Sequence, residues 1–244
     1  MDLQSSPAAP DGAADVEIWF DFASPYSYLA LARIEALAAR NSVQVRYQPF
    51  LLGPIFKARG WQDSPFRLFP DKGEYMMRDV ARLAHKYGVP YRRPGTFPRM
   101  GLLASRIAAA NLHQPWFKEY CLGVFRANFV DDLDLQDPRT LSAVLTPLGA
   151  DSDALIEAGA QEPARLALRR QVEAAQARSV FGAPMLFTRG ELFWGNDRLE
   201  DALQWACDGG PSRVPATAPA TAPATAPANA PAAAPAAAPA AETR

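Results

Sequence analysis

The sequence predicts an α/β domain whose two halves are separated by a helical insertion. A strand, a helix and a second strand open the chain, helices occupy its middle, and a β-hairpin with a closing helix follows. A strand, helix and strand in this order favour a parallel pair joined by a right-handed crossover. We therefore expect one discontinuous domain, formed by residues 15–60 and 180–210, around an insertion at residues 61–179.

The opening segment has the clearest local pattern. Apolar side chains recur at every second position over residues 16–22, which is the period of a strand. Ser24 and Pro25 follow at once, and these residue types are favoured at the N-cap and at the first helical position. We expect a helix from Ser24 to about Arg40, followed by a second strand over residues 43–47.

Helical periodicity dominates the middle of the chain. It covers residues 75–87, 102–111, 116–128, 138–148, 151–158 and 163–179. Strand patterns return at residues 185–188 and 192–194, and the turn residues between them predict a hairpin. A last helix is expected over residues 198–206.

Both ends of the chain are expected to lie outside the folded domain. Residues 1–14 lack the basic start and apolar core of a secretory signal. Residues 211–244 carry a proline at every fourth position up to Pro239, separated mostly by alanine and threonine. Because such segments bury too little apolar surface to offset the entropy of ordering, we expect both to be disordered.

Charge and cysteine usage exclude several functions. The 26 acidic and 25 basic residues nearly cancel, which argues against nucleic acid or an anionic membrane as a partner. No apolar run approaches the roughly 18 residues of a membrane span. Cys121 and Cys207 form no C-x-x-C pair, and without a secretory signal they indicate idle thiols in a reducing cytoplasm. With two histidines in the chain, we expect neither a metal site nor a serine–histidine triad.

Two motifs at opposite ends of the chain resemble one family. Residues 20–29, Phe-Asp-Phe-Ala-Ser-Pro-Tyr-Ser-Tyr-Leu, resemble the opening motif of the 2-hydroxychromene-2-carboxylate isomerases, and residues 182–187 with 191–199 resemble their closing motif. These isomerases are grouped with the kappa-class glutathione transferases and the DsbA-like disulfide oxidoreductases. The resemblance implies a thioredoxin-like domain of the DsbA/kappa type, interrupted by an all-helical insertion, with glutathione as its cofactor.

Ser24 is the candidate catalytic residue under this resemblance. Redox relatives carry two cysteines at this strand-to-helix junction, where a helix N-terminus favours a thiolate. Residues 24–27 read Ser-Pro-Tyr-Ser here, so dithiol–disulfide exchange is not expected. A hydroxyl at the positive end of a helix would instead lower the pKa of a bound glutathione thiol. Plain helix capping by Ser24 is the alternative, and both roles are compatible.

The resemblance also places residues around the tripeptide. Residues 182–184 resemble a cis-proline loop, so we expect a cis Ala183–Pro184 bond, with the Ala183 backbone pairing with glutathione as an added strand does. Asn196 and Asp197 match the family position that holds the γ-glutamyl end. Helix capping is the alternative for Asp197.

A small aromatic substrate is expected beside glutathione, within walls formed by Tyr26, Phe56 and Trp61. Lys72 is similar to a basic position that faces the ligand in relatives, with a solvated surface lysine as the alternative. Further candidates for contact with an anionic substrate are Arg92, Arg93 and Arg99. Residues 60–65 replace the family's Gly-Asn-x-Pro-Pro element with Gly-Trp-Gln-Asp-Ser-Pro, so the resemblance does not specify the substrate.

The expected function is interconversion of 2-hydroxychromene-2-carboxylate and trans-o-hydroxybenzylidenepyruvate in aromatic catabolism. Reversible addition of the glutathione thiolate would allow rotation about the double bond. One alternative is a kappa-like glutathione transferase that acts on another electrophile. A second is a thioredoxin-fold module that binds thiols or peptides without catalysis. The resemblance also implies a homodimer.

Overall fold

A computed structural model describes residues 15–61 and 63–208. The disorder expected at residues 1–14 and 211–244 falls outside these described ranges. The strands are β1 (Val16–Phe20), β2 (Val45–Pro49), β3 (Met185–Thr188) and β4 (Glu191–Trp194). The α-helices are α1 (Pro25–Arg40), α2 (Leu52–Ala58), α3 (Pro65–Leu68), α4 (Pro70–Tyr87), α5 (Leu102–Ala110), α6 (Phe117–Phe129), α7 (Pro138–Leu145), α8 (Ser152–Ala160), α9 (Glu162–Ala177) and α10 (Leu199–Asp208). Two 3₁₀ turns, Thr146–Leu148 and Asn196–Arg198, precede α8 and α10.

The strands form one mixed sheet in the order β2-β1-β3-β4. β1 runs parallel to β2 and antiparallel to β3, and β3 and β4 form an antiparallel hairpin. The parallel pair and the hairpin expected from the sequence are therefore confirmed. β1 lies in the interior of the sheet, and Val16, Ile18 and Phe20 have no exposed surface.

Helices cover both faces of the sheet. Ile18 and Phe20 pack into a large core with α1, α10, α4 and α6. Trp19 and Met185 point to the opposite face, where Val172 and Ala175 of α9 complete a second core. The alternation of side chains along β1 thus joins two layers of helices to one sheet.

The helical segment between β2 and β3 packs against the end of β1. The Phe22 ring lies 5.1 Å from the ring of Phe125 in α6, measured between centroids. Asn128, which is 1% exposed, donates from Nδ2 to the Phe22 carbonyl at 2.9 Å and accepts from Arg99 at 3.1 Å. Arg99 also forms a 2.6 Å ion pair with Asp132. This network ties the insertion to the strand-to-helix junction that follows β1.

The structure differs from the sequence expectation in two places. β2 begins at Val45 rather than at Val43, because the Val43 N–H closes the end of α1 by donating to the Ala38 carbonyl. The short helices α2 and α3 and the first turn of α4 were not predicted. Prolines begin α3 and α4, and such short segments lack a long apolar stripe.

None of the helices within the described residues is long and apolar enough to cross a membrane. The boundaries of the insertion at residues 61–179 stay a prediction.

Candidate active site

The junction between β1 and α1 is held by the buried carboxylate of Asp21. It accepts hydrogen bonds from the backbone N–H groups of Ala23 at 2.9 Å and Leu52 at 2.7 Å. Burial raises the pKa of Asp21, and the two N–H bonds offset part of that increase. Because Leu52 begins α2, this carboxylate also fixes the start of α2 against the junction.

Ser24 occupies the N-cap of α1, as predicted, with an extended backbone at φ −90° and ψ 115°. Its Oγ accepts from the Ser27 N–H at 3.2 Å and donates to the Ala183 carbonyl at 2.9 Å. A hydroxyl can donate one hydrogen bond, and here Ser24 donates it to the Ala183 carbonyl. The side chain therefore caps the helix and bridges the two distant halves of the sheet domain.

The loop before β3 contains the expected cis Ala183–Pro184 bond. A second cis bond, Phe97–Pro98, was not predicted. Pro184 is buried, and its carbonyl accepts from the Gly195 N–H at 3.0 Å. Within the described residues the Ala183 N–H has no hydrogen-bond acceptor. Ala183 therefore offers one open backbone donor beside the Ser24 hydroxyl.

Asn196 and Asp197 lie in the 3₁₀ turn that follows β4. Asn196 is 1% exposed, and its side-chain oxygen accepts from Arg33 of α1 at 3.0 Å. Its Nδ2 is buried without an acceptor in the described part of the chain. Asp197 is exposed, and its carboxylate lies 3.6 Å from the Arg198 guanidinium. This turn thus contains a buried amide donor without an acceptor among the described residues, and an accessible carboxylate.

Tyr26 connects α1 to α4, because its hydroxyl donates to the Asp79 carboxylate at 2.9 Å. Burial raises the pKa of Tyr26 first, and the hydrogen bond and charge of Asp79 raise it further. Asp197 adds a smaller increase, which places that carboxylate within electrostatic range of the phenol. Lys72 is exposed in the first turn of α4, with its ammonium 4.8 Å from the centre of the Phe69 ring. No contact among the described residues joins Lys72 to Ser24 or Ala183.

Phe56 and Trp61 stack at the carboxyl end of α2, with their ring centroids 5.5 Å apart. Nearby, the Arg59 guanidinium lies 5.7 Å from the Phe181 ring, and that ring packs 5.0 Å from Trp194. The sequence analysis did not single out Arg59, Phe181 or Trp194 as candidates. Trp194 stands within the closing motif, which was the available signal.

The three other candidate arginines are already paired with carboxylates. Arg93 forms a bidentate ion pair with the Glu74 carboxylate, with N–O distances of 3.0 and 2.8 Å. Arg99 is buried against Asp132, and Arg92 lies 3.8 Å from the same carboxylate. Arg93 and Arg99 are therefore each compensated by a close carboxylate, whereas Arg92 lies farther from the Asp132 carboxylate that Arg99 already engages.

Among the described residues, neither the cysteines nor the potential metal ligands form a functional cluster. Cys121 is buried, which raises the pKa of its thiol well above the usual value. Cys207 is an exposed free thiol. No group of three or more His, Cys, Asp or Glu side chains in the described ranges is placed to hold a metal ion.

A four-stranded mixed sheet, a helix that starts at the end of its interior strand β1, and a cis-proline loop facing that helix start define a thioredoxin-like domain. In this one a serine stands where redox members carry cysteine. The chain matches the family model of the DSBA-like thioredoxin domain over residues 15–204, and it belongs to that family. The fold is thus the predicted DsbA-like thioredoxin fold with a helical insertion.

Enzymes from two groups are similar over most of their length. A 2-hydroxychromene-2-carboxylate isomerase from Sphingobium xenophagum is 31% identical over 185 residues, which are 76% of this chain and 94% of the relative. Human glutathione S-transferase kappa 1 is 27% identical over 203 residues, covering 76% and 87% of the two chains. A solved 2-hydroxychromene-2-carboxylate isomerase superposes with a TM-score of 0.70 at 29% identity, covering 79% of this chain and 95% of that one.

Proposed function

We propose that this protein is a glutathione-dependent isomerase of the 2-hydroxychromene-2-carboxylate type. The observation that carries the proposal is the Ser24 hydroxyl at the start of α1, 2.9 Å from the Ala183 carbonyl of the cis-proline loop. Curated isomerases near 30% identity support the reaction type.

The residues around Ser24 fit a γ-glutamyl tripeptide. The open Ala183 N–H suits a backbone carbonyl of an extended peptide. The buried Asn196 Nδ2 lacks an acceptor within the described residues, and the exposed Asp197 carboxylate can pair with an ammonium group. We therefore assign the backbone of glutathione to Ala183 and Pro184 and its γ-glutamyl end to Asn196 and Asp197.

Bound glutathione would supply a thiolate, which adds reversibly to an activated carbon–carbon double bond and permits rotation. Ser24 stabilises that thiolate by turning its proton from the Ala183 carbonyl to the sulfur. The N-terminus of α1 contributes positive potential at the same place. Lys72 lies in the first turn of α4, and we assign it a role in attracting the anionic ligands. The proposal includes a cytoplasmic location, where reduced glutathione is available, and a homodimer.

A kappa-like transferase is the second candidate, favoured by the similarity to kappa-class enzymes. It would use the same thiolate, but the adduct would persist and glutathione would be consumed. The two reactions therefore differ in what happens to the free thiol.

The test combines binding with product analysis. Calorimetry first measures glutathione binding, and trans-o-hydroxybenzylidenepyruvate is then incubated with glutathione and protein while absorbance and free thiol are followed. A Cys207→Ser background removes the exposed protein thiol from the count. Isomerisation with constant glutathione supports the proposal, whereas loss of one thiol per substrate supports the transferase. Absence of binding at millimolar glutathione would contradict both.

A further inference from the structure

The last turn of α2 presents an aromatic pair and a cation together. The Arg59 and Trp61 N–H groups both donate to the Phe56 carbonyl, and Gly60 adopts a positive φ of 81°. A positive φ suits glycine, so the chain can fold back and lay Trp61 on Phe56. Trp61 remains 43% exposed, so part of the indole surface stays open to a ligand.

A second aromatic pair flanks the cis-proline loop. Phe181 immediately precedes Gly182 and Ala183, and its ring lies edge-on to Trp194 at 5.0 Å. The indole of Trp194 is packed so closely on Gly182 that a methyl group there would overlap it. Trp194 is nevertheless 58% exposed. Its exposed surface therefore lies beside the loop whose carbonyl contacts Ser24.

Arg59 joins these two pairs into one surface. Its guanidinium lies over the Phe181 ring, while its backbone belongs to the turn that carries Phe56 and Trp61. Within residues 15–61 and 63–208, no carboxylate lies within 4 Å of Arg59. Arg33 of the same site region, by contrast, is paired with Glu200 at 2.6 Å. Arg59 is thus an uncompensated cation between exposed aromatic rings.

We propose that Arg59, Phe181 and Trp194 complete, with Phe56 and Trp61, the binding site for an aryl carboxylate substrate. The rings contact the planar apolar part of the substrate, and Arg59 pairs with its carboxylate, for which a guanidinium is suited by geometry and charge. The inference rests on the proposed function, because it assigns the second reactant to the same loop that holds glutathione. It adds Arg59, Phe181 and Trp194 to the candidate substrate contacts and assigns recognition of the substrate carboxylate to Arg59.

The experiment measures binding without requiring turnover. Calorimetry compares trans-2-hydroxycinnamate with its neutral amide, in the presence of saturating S-methylglutathione, for the wild type and three variants. Arg59→Gln removes the cation, Arg59→Lys keeps it, and Arg170→Gln is the matched control on an exposed arginine of α9. We expect the wild type to prefer the carboxylate over the amide about twofold to fivefold, as an exposed ion pair provides. Arg59→Gln should abolish this preference, whereas Arg59→Lys and Arg170→Gln should retain it.

Trp194→Ala serves as the second arm, and should weaken both the acid and the amide equally. A preference that survives Arg59→Gln overturns the inference, as does failure of both compounds to bind at millimolar concentration. Loss of affinity for glutathione itself in Arg59→Gln, with the cinnamate preference intact, would assign Arg59 to the cofactor and also overturn it. Because the readout is binding, an inactive protein with an Arg59-dependent preference would refute the isomerase and leave this site standing.

Discussion

Replacement of Ser24 by alanine should separate thiol recognition from peptide recognition. The Ser24 hydroxyl donates to the Ala183 carbonyl at 2.9 Å, and under the proposed function it would donate to the glutathione sulfur when that ligand is bound. A hydrogen bond to a charged group contributes about 1.5–3 kcal/mol. At 1.36 kcal/mol per unit, Ser24→Ala should raise the pKa of the bound thiol by roughly 1–2 units.

A glutathione analogue with a methyl group in place of the thiol gives a different expectation. With this analogue the Ser24 hydroxyl stays on the Ala183 carbonyl and makes no bond to the ligand. Ser24→Ala therefore removes no ligand contact, and affinity for the analogue should hold. Affinity for glutathione at neutral pH should fall instead.

The assay is calorimetry of both ligands across pH, with ultraviolet difference absorbance to follow the bound thiolate. Ser27→Ala is the matched control, because the Ser27 hydroxyl is buried without a partner in the described structure and contacts no proposed ligand. If the thiol of bound glutathione has the same pKa in the wild type and in Ser24→Ala, the hydroxyl does not stabilise the thiolate. Equal weakening of both ligands would show that Ser24 acts by capping α1 alone.

Three further predictions concern stability, each measured by denaturant unfolding. Asp21 has a raised pKa in the fold, so its contribution to the free energy of unfolding is present below the ordinary value of about 4 and is lost as pH rises through the folded value. Asp21→Asn should remove that loss, and an unchanged pH profile would contradict the assignment. Gly159→Ala should lower the free energy of unfolding by about 1–3 kcal/mol, because the new methyl group meets Ile107. Gly53→Ala places its methyl group in open space and should stabilise α2 by up to about 1 kcal/mol. Effects of equal sign would contradict this packing. Asn128→Ala should lower the free energy of unfolding by about 2–4 kcal/mol, because the Phe22 carbonyl loses its donor and Arg99 loses an acceptor. A loss below about 1 kcal/mol would argue against the network.

The parts of the fold that follow local rules were predictable from the sequence. Ser24 and Pro25 specify a helix start through their own side chains, and the hairpin between β3 and β4 follows from strand patterns on either side of a short turn. The cis Ala183–Pro184 bond was inferred from family resemblance, because no local pattern distinguishes it from the commoner trans form.

The remaining features depend on partners distant in the sequence. Nothing local to Arg33 indicates that it pairs with Asn196, nor does anything near Phe181 indicate that Arg59 stacks on it. For the same reason the sequence leaves Arg93 as a candidate for ligand binding, whereas the structure pairs it with Glu74. Charge pairing is a property of the assembled surface, so sequence reasoning identifies the cations but not which of them remain available.

The separation of Ser24 and Ala183 by 159 positions has a consequence for synthesis. At about 5–20 residues per second, the ribosome needs roughly 8–30 seconds to proceed from one to the other. During that interval β1 has β2 on one edge, while the edge that later receives β3 is unpaired. An unpaired strand edge invites association with other chains, so the nascent protein should depend on chaperone protection until the hairpin emerges. A chain released before the hairpin would contain Ser24 but no cis-proline loop, and it would lack half of the proposed glutathione site.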